Sequence, residues 1–140
     1  MAITAIRSVK NSVGSLFYVK NLENPNDTGG TGHALEVPPA QIVVCNMWIP
    51  WCDTQEQFEH GSSLGKGPAH ILITFLWSST QGGPIPPQFA IWQQGDYVRY
   101  SRNALFKKDG DLVGGNNTVG GDRSVEITGS DMQSAQLWFY

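Results

Sequence analysis

Cysteine, tryptophan and histidine side chains are concentrated between residues 45 and 60, CNMWIPWCDTQEQFEH. Such side chains are suited to metal binding, thiol redox exchange or aromatic stacking on a ligand. Structural zinc sites usually bring two cysteines within about two to four residues of each other. Six residues separate Cys45 from Cys52, His60 has no second Cys/His pair beside it, and there is no Cys-x-x-Cys motif. We therefore expect no metal site here, whereas a disulfide stays open as an alternative if Pro50 turns the chain back.

Catalysis by the same stretch is not expected either. A nucleophilic thiol needs a base and a group that orients the base. Asp53, Glu56 and His60 lie close to Cys52 in the sequence but match no known catalytic arrangement. We predict that the protein is not an enzyme, and a hydrolase is the least favoured alternative.

The two tryptophans of this stretch point instead to ligand binding. Side chains alternate between the two faces of a strand, so Trp48 lies opposite the face that carries Cys45. Pro50 ends the strand and delivers Trp51 and Asp53 to a loop. An indole and a carboxylate together suit a binding corner, although Trp51 closing the end of a hydrophobic core is the competing interpretation.

Residues 89–101, FAIWQQGDYVRYS, predict a β-hairpin with a tight turn at Gln94-Gly95. That register pairs Trp92 with Tyr97 and places both, with Arg99, on the face opposite the apolar one. Sugar rings stack their C–H faces on aromatic side chains, and their hydroxyls need polar partners such as Asp96. The alternative is that a second sheet, a loop or a subunit covers this face.

The segment 107–123, KKDGDLVGGNNTVGGDR, is rich in glycine and in oxygen-bearing side chains. It has neither the spacing of an EF-hand loop nor the Gly-Lys-Ser/Thr of a phosphate-binding loop. The alternatives are a plain connection between strands, a polar ligand contact through Asn116, Asn117 and Asp122, or a calcium site to which Asp109 and Asp111 would contribute.

Short apolar, β-branched or alternating runs separated by Gly, Pro, Asn and Asp dominate the rest of the chain. This pattern predicts an all-β fold of about nine short strands. We expect a single domain, residues 1–140, built as an antiparallel β-sandwich or a closed barrel. Residues 54–60 predict at most one short helix, capped by Asp53 or Thr54 and by Gln57 or Glu56.

Composition narrows the possible partners. The net charge is -3 and 15% of the residues are charged, so there is no basic field to attract nucleic acid. No apolar run is long enough for a membrane span, and the N-terminus lacks the apolar core of a signal peptide. The expected location is therefore the cytoplasm, or the outside after unconventional secretion, unless the chain is a mature form.

These observations favour a carbohydrate-binding protein, a lectin without enzymatic activity, whose partners are glycans or glycoconjugates. Single shallow sites bind weakly, which predicts a homo-oligomer that gains avidity. No cofactor is expected apart from the calcium alternative. A small β-sandwich toxin or membrane-surface protein is the second hypothesis, because exposed aromatics also suit a lipid interface. The predicted ligand-binding residues are Trp48, Trp51, Asp53, Trp92, Asp96, Tyr97, Arg99, Asn116, Asn117 and Asp122.

Overall fold

A computed structural model describes residues 3–23, 34–61, 67–75, 88–101, 106, 110–117, 120–129 and 135–140. The predicted all-β fold with one short helix is confirmed for these residues. They form β1 (Thr4–Ser12), β2 (Phe17–Asn21), β3 (Leu35–Val37), β4 (Ile42–Trp48), α1 (Gln55–His60), β5 (Ile71–Phe75), β6 (Gln88–Gln94), β7 (Tyr97–Ser101), β8 (Asp111–Leu112), β9 (Gly114–Gly115), β10 (Gly121–Thr128) and β11 (Gln136–Phe139). The strands β8 and β9 have two residues each, which is too short for the alternation of apolar and polar residues to predict them.

The strands form two sheets that pack as a sandwich. The five-stranded sheet has the order β4-β1-β10-β11-β9, and the six-stranded sheet has the order β3-β2-β5-β6-β7-β8. Their inner faces share one core, to which Val9 and Phe139 contribute from the first sheet and Phe17 and Ile73 from the second. Within the described ranges the sheets do not close into a barrel.

Most strand pairs are antiparallel, as predicted, but two pairs of the five-stranded sheet are parallel. Strand β1 runs parallel to β10, and β9 runs parallel to β11. Side chains alternate in the same way in parallel and antiparallel strands, so the sequence pattern cannot give the strand direction. The adjacent β10 and β11 are antiparallel, as expected.

Strands β1 and β2 follow one another in the chain but do not pair as a hairpin. Strand β1 lies in the five-stranded sheet and β2 in the six-stranded sheet. The connection between them is held by buried Asn11, whose side chain accepts from Val13 N–H and donates to the carbonyls of Ser15 and Val37. These bonds satisfy backbone groups where the chain crosses from one sheet to the other.

The β6–β7 hairpin exists, but its register differs from the prediction by two residues. Gly95 and Asp96 form the turn, Gln94 pairs with Tyr97, and Trp92 pairs with Arg99. Gly95 has a φ of 62°, which favours glycine at the first position of a type II′ turn. A shift of two residues leaves every side chain on its predicted face.

Helix α1 begins as its sequence predicts. Thr54 Oγ1 accepts from Gln57 N–H at 3.1 Å, and Gln57 Oε1 accepts from Asp53 N–H at 2.8 Å. This reciprocal arrangement resembles a capping box. No described helix is long and apolar enough to cross a membrane.

Candidate ligand-binding face

Alternation along the strands builds the outer face of the five-stranded sheet, apart from a register shift in β1 between Ile6 and Ser8. On β10, Val125 and Ile127 are buried in the core, which directs the intervening side chains outward. On β11, Leu137 and Phe139 are buried in the same way. The outward side chains of the paired strands meet in rows across the sheet. We call this surface the outer face; it comprises Arg7, Ser8, Lys10, Ser12, Ile42, Val44, Asn46, Trp48, Asp122, Ser124, Glu126, Thr128, Gln136, Trp138 and Tyr140.

Polar side chains occupy the middle of the outer face and bond to one another between β1 and β10. Ser8 Oγ donates to Ser124 Oγ at 2.7 Å. Ser12 Oγ donates to Glu126 Oε2 at 2.8 Å, and Lys10 Nζ lies 3.6 Å from the same oxygen. The parallel pairing of β1 with β10 brings these side chains into register, so the tertiary structure creates this hydroxyl and charge network.

An ion pair marks the end of this polar network. Arg7 Nε lies 3.1 Å from Asp122 Oδ1. Arg7 lies within a register shift between Ile6 and Ser8, an irregularity of the bulge type that re-aims a side chain. Each charge of the network is therefore accompanied by one of the opposite sign, and the centre of the face is hydrophilic without being strongly charged.

Exposed aromatic rings flank the polar network on both sides. Trp48 on β4 is 50% exposed, while Trp138 on β11 and Tyr140 just after it are 52% and 53% exposed. Strands β4 and β11 are three strand spacings apart, roughly 14 Å. Tyr140 N–H donates to the Ser124 carbonyl at 2.9 Å, which fixes the end of the chain beside the network.

The predicted site residues Trp48 and Asp122 both belong to the outer face. Trp48 pairs with Ala5, and Asp122 pairs with the same alanine from the other side. These two residues are far apart in the sequence, and only the placement of β1 between β4 and β10 brings them together.

Trp51 and Asp53 lie elsewhere. Trp51 is half-buried and forms a bridge with Gln93, at the end of the sandwich where Thr4 Oγ1 of one sheet donates to Gln93 Oε1 of the other at 2.6 Å. This position agrees with the interpretation that Trp51 closes the core. Asp53 is exposed beside the start of α1.

The prediction that Trp92 is an exposed stacking surface is wrong. Its side chain is 0% exposed and lies in a second cluster under α1, in edge contact with Phe58 at a ring distance of 5.8 Å and in tilted contact with Phe106 at 5.5 Å. Its Nε1–H donates to Gln94 Oε1 at 3.1 Å. The face is the predicted one, but α1 and Phe106 cover it.

The rest of the predicted hairpin site is divided. Asp96 and Tyr97 are exposed at the turn. Arg99 is half-buried, and its Nη1 donates to the Gly110 carbonyl at 2.7 Å. Because Trp92 is buried, these residues do not form the paired-aromatic platform that the sequence predicts.

The prediction of Asn117 as a ligand contact is also wrong, because its side chain is buried and fully engaged. Its Oδ1 accepts from Val98 N–H at 2.8 Å, and its Nδ2 donates to the carbonyls of Val98 and Val113. Asn116 beside it is exposed, and its carbonyl accepts from Arg123 Nε at 2.7 Å. The Asn-Asn pair therefore divides into one structural residue and one surface residue.

Both cysteines are free thiols, which contradicts the disulfide alternative. Burial raises the pKa of the Cys52 thiol to about 11, although its contact with the Thr54 carbonyl lowers it in part. A thiol with this pKa stays protonated at neutral pH and is a poor nucleophile and metal ligand. Cys45 Sγ lies 3.4 Å from the Ile6 carbonyl, and Cys45 packs against the core, on the face opposite Trp48.

His70 is a structural residue of the second cluster. Its ring stacks on Phe58 with centroids 3.8 Å apart, and its Nδ1 lies 3.1 Å from the Phe58 carbonyl. Burial lowers the pKa of His70 to about 4, although the bond to the carbonyl raises it in part. Within the described ranges, no three His, Cys, Asp or Glu side chains converge on a metal position. The calcium alternative stays a prediction, since Asp109 lies outside the described residues.

Most residues of the outer face were not among the predicted site residues; these are Ser8, Lys10, Ser124, Glu126, Trp138 and Tyr140. The signal was present in RSVEIT and AQLWFY, where polar or aromatic residues alternate with apolar ones. Alternation alone marks these residues as outward-facing, but not as neighbours. Strand β11 lies between β10 and β9, inside the five-stranded sheet.

Comparison of the chain with models of protein families, with curated proteins and with solved structures gives no match. A functional proposal therefore has to rest on the side chains of the outer face.

Proposed function

We propose that this chain is a carbohydrate-binding protein, a lectin without enzymatic activity, and that its outer face is the glycan-binding site. The observation that carries the proposal is the polar network between exposed aromatic rings. Sugars present hydroxyls at their edges and apolar C–H groups on their faces, so they need both kinds of contact. The network offers hydroxyl, carboxylate and ammonium groups, and Trp48, Trp138 and Tyr140 offer rings.

An open sheet face suits shallow binding. Sheet faces position side chains on a rigid scaffold, so little ordering is needed when a ligand binds. Hydrogen bonds within the network also hold Ser8, Ser12 and Glu126 in fixed orientations. Their remaining hydrogen-bonding capacity would be directed at a ligand lying across β1 and β10.

A glycan array with the purified chain tests this proposal. We expect binding to a limited set of glycans. A substitution at the centre of the face, Glu126→Gln, keeps the shape and removes the charge, and should weaken binding about tenfold. Glu36→Gln is the matched control, since Glu36 is exposed on β3 of the other sheet. An array that stays silent at high concentration of folded protein contradicts the proposal.

A membrane-surface protein is the second candidate. It is favoured by the apolar end of the outer face, where Val44 is 81% exposed and Ile42 and Trp48 are also exposed. Against it, contact with lipid would dehydrate the Arg7–Asp122 and Lys10–Glu126 pairs, which is costly. Flotation with phosphatidylcholine and phosphatidylserine vesicles, without sugar, separates the two candidates, because the lectin should stay unbound.

A further inference from the structure

Trp138 rests on a strand made of glycine. Its β11 position pairs with Gly114, and the next residue pairs with Gly115. A Cβ on Gly114 would clash with Cε3 of the indole and lie 2.7 Å from Cζ3, and a Cβ on Gly115 would lie 2.8 Å from Nε1. Cε3 and Nε1 are on opposite long edges of the indole, so a ring face, and not an edge, is turned toward β9.

The opposite side of the same indole is open. Trp138 is half exposed although one of its faces is covered by the glycine backbone. Trp92, also outward-facing on its strand, is fully buried in a cluster with Cys52, Phe58 and Phe106. Of these two tryptophans, only Trp138 has one ring face supported by the protein and the other face accessible. Stacking of a sugar requires this arrangement.

The side chains next to this ring carry hydrogen-bonding groups. Glu126 is the direct partner of Trp138 on β10, where paired side chains have Cβ atoms about 5 Å apart. Gln136 precedes it by two residues and lies on the same face. Ser12 and Lys10 both contact Oε2 of Glu126, and the second carboxylate oxygen is available to accept from a sugar hydroxyl.

The charges near Trp138 favour a neutral ligand. Lys10 is paired with Glu126, and Arg7 is paired with Asp122. An acidic sugar stacked on Trp138 would place its carboxylate or sulfate beside the Glu126 carboxylate, and the repulsion would weaken binding.

From these contacts we infer that Trp138 is the stacking platform for one pyranose ring of a neutral glycan, with Glu126 and Gln136 as its hydrogen-bonding partners. This inference rests on the proposed glycan-binding function and assigns its residue and ligand class. Gly114 is a positioning residue that lets the indole lie against the strand, whereas Gly115 is also required by the backbone, because a Cβ there would clash with the Phe139 carbonyl oxygen.

Indole N–H signals in ¹⁵N NMR spectra provide the test, since the chain has five tryptophans. The probes are methyl glucopyranoside, methyl galactopyranoside, methyl mannopyranoside and neutral glycans bound on the array, with sialyllactose as the acidic comparison. We expect a saturable shift of the Trp138 signal and no shift of the Trp92 signal. Trp138→Ala should weaken binding about tenfold and Trp138→Phe less, as for loss of one aromatic contact. Tyr97→Ala, an exposed aromatic at the hairpin turn, should bind as the parent does.

The experiments separate the Trp138 assignment, the neutral ligand class and the glycan-binding function from one another. If glycans bind on the array but Trp138→Ala binds as tightly as the parent, the inference is wrong and the proposed function stands. Preference for sialyllactose overturns the neutral ligand class. A silent array overturns both. Gly114→Ala keeps the indole and displaces it from β9, so binding should weaken severalfold, and an unchanged affinity contradicts the positioning role of Gly114.

Discussion

Two residues with the same sequence signature have opposite roles in this protein. Trp92 and Trp138 each lie on the outward side of a strand. Trp92 is buried under α1, whereas Trp138 lies against β9 and is half exposed. Alternation gives the side of the sheet but not what covers it. The two residues should therefore contribute differently to stability.

Trp92→Ala should lower the free energy of unfolding by about 3–5 kcal/mol, because it removes a fully buried ring and leaves a cavity. Chemical denaturation measures this loss. Trp138→Ala is the matched control and should change stability much less, since half of its ring is already in water. Equal losses for the two variants would show that the α1 cover contributes little.

Asn117→Ala should destabilise the protein by about 1–3 kcal/mol. The substitution leaves the N–H and carbonyl of Val98 and the carbonyl of Val113 without their side-chain partner in a buried site. Asn46→Ala on the exposed side of β4 serves as the control and should stay close to the parent. A thermal melt that leaves Asn117→Ala unchanged would contradict the structural role.

At the scale of elements, we expect the packing of His70 beneath α1 to make the stability of the fold depend on pH. His70 is buried with its pKa lowered to about 4, against an ordinary value near 6.5. Between these values the unfolded chain binds a proton that the folded chain does not, so stability falls as pH falls from about 6.5 to about 4 and changes little further below.

His70→Gln removes this proton linkage. The parent should lose on the order of 2–3 kcal/mol more than His70→Gln between pH 7 and pH 4. His60→Gln, at the exposed end of α1, should keep the full dependence of the parent. Denaturant titrations at both pH values give the comparison, and parallel losses in the parent and His70→Gln would assign the effect to other groups.

At the scale of the whole molecule, β4 is the outermost strand of the five-stranded sheet among the residues that the structure describes. Its sequence, IVVCNMW, has no charged residue, although edge strands are usually protected by charges or proline. Ile42 and Val44 are exposed on it. We propose that a second copy pairs here across a two-fold axis, which would join two outer faces into one surface and give the avidity expected of a lectin.

Light scattering across protein concentrations tests this assembly. We expect a mass that approaches two chains as concentration rises, and Val44→Lys should restore the single-chain mass by placing a charge on the edge. Gln136→Lys adds the same charge to the same face on an interior strand and should still assemble. A single-chain mass at every concentration contradicts the proposal.

Several features follow from the sequence because their causes are local. Alternation predicts the strands and the faces of Cys45, Trp48 and the β6–β7 side chains. Thr54 and Gln57 predict the start of α1, because both groups of the cap lie within one turn. The β6–β7 register was missed by two residues because Gln94-Gly95 and Gly95-Asp96 are both acceptable turn sequences.

What the sequence by itself determined is therefore the all-β class and the side of the sheet on which each residue lies. The tertiary structure decided which strands are neighbours and which sides are covered. It placed β1 parallel to β10, so that Ser8 meets Ser124 and Lys10 meets Glu126, and it laid Trp138 on the glycines of β9. These contacts join residues distant in the chain, and the local periodicity of a strand carries no information about the partner on the other side.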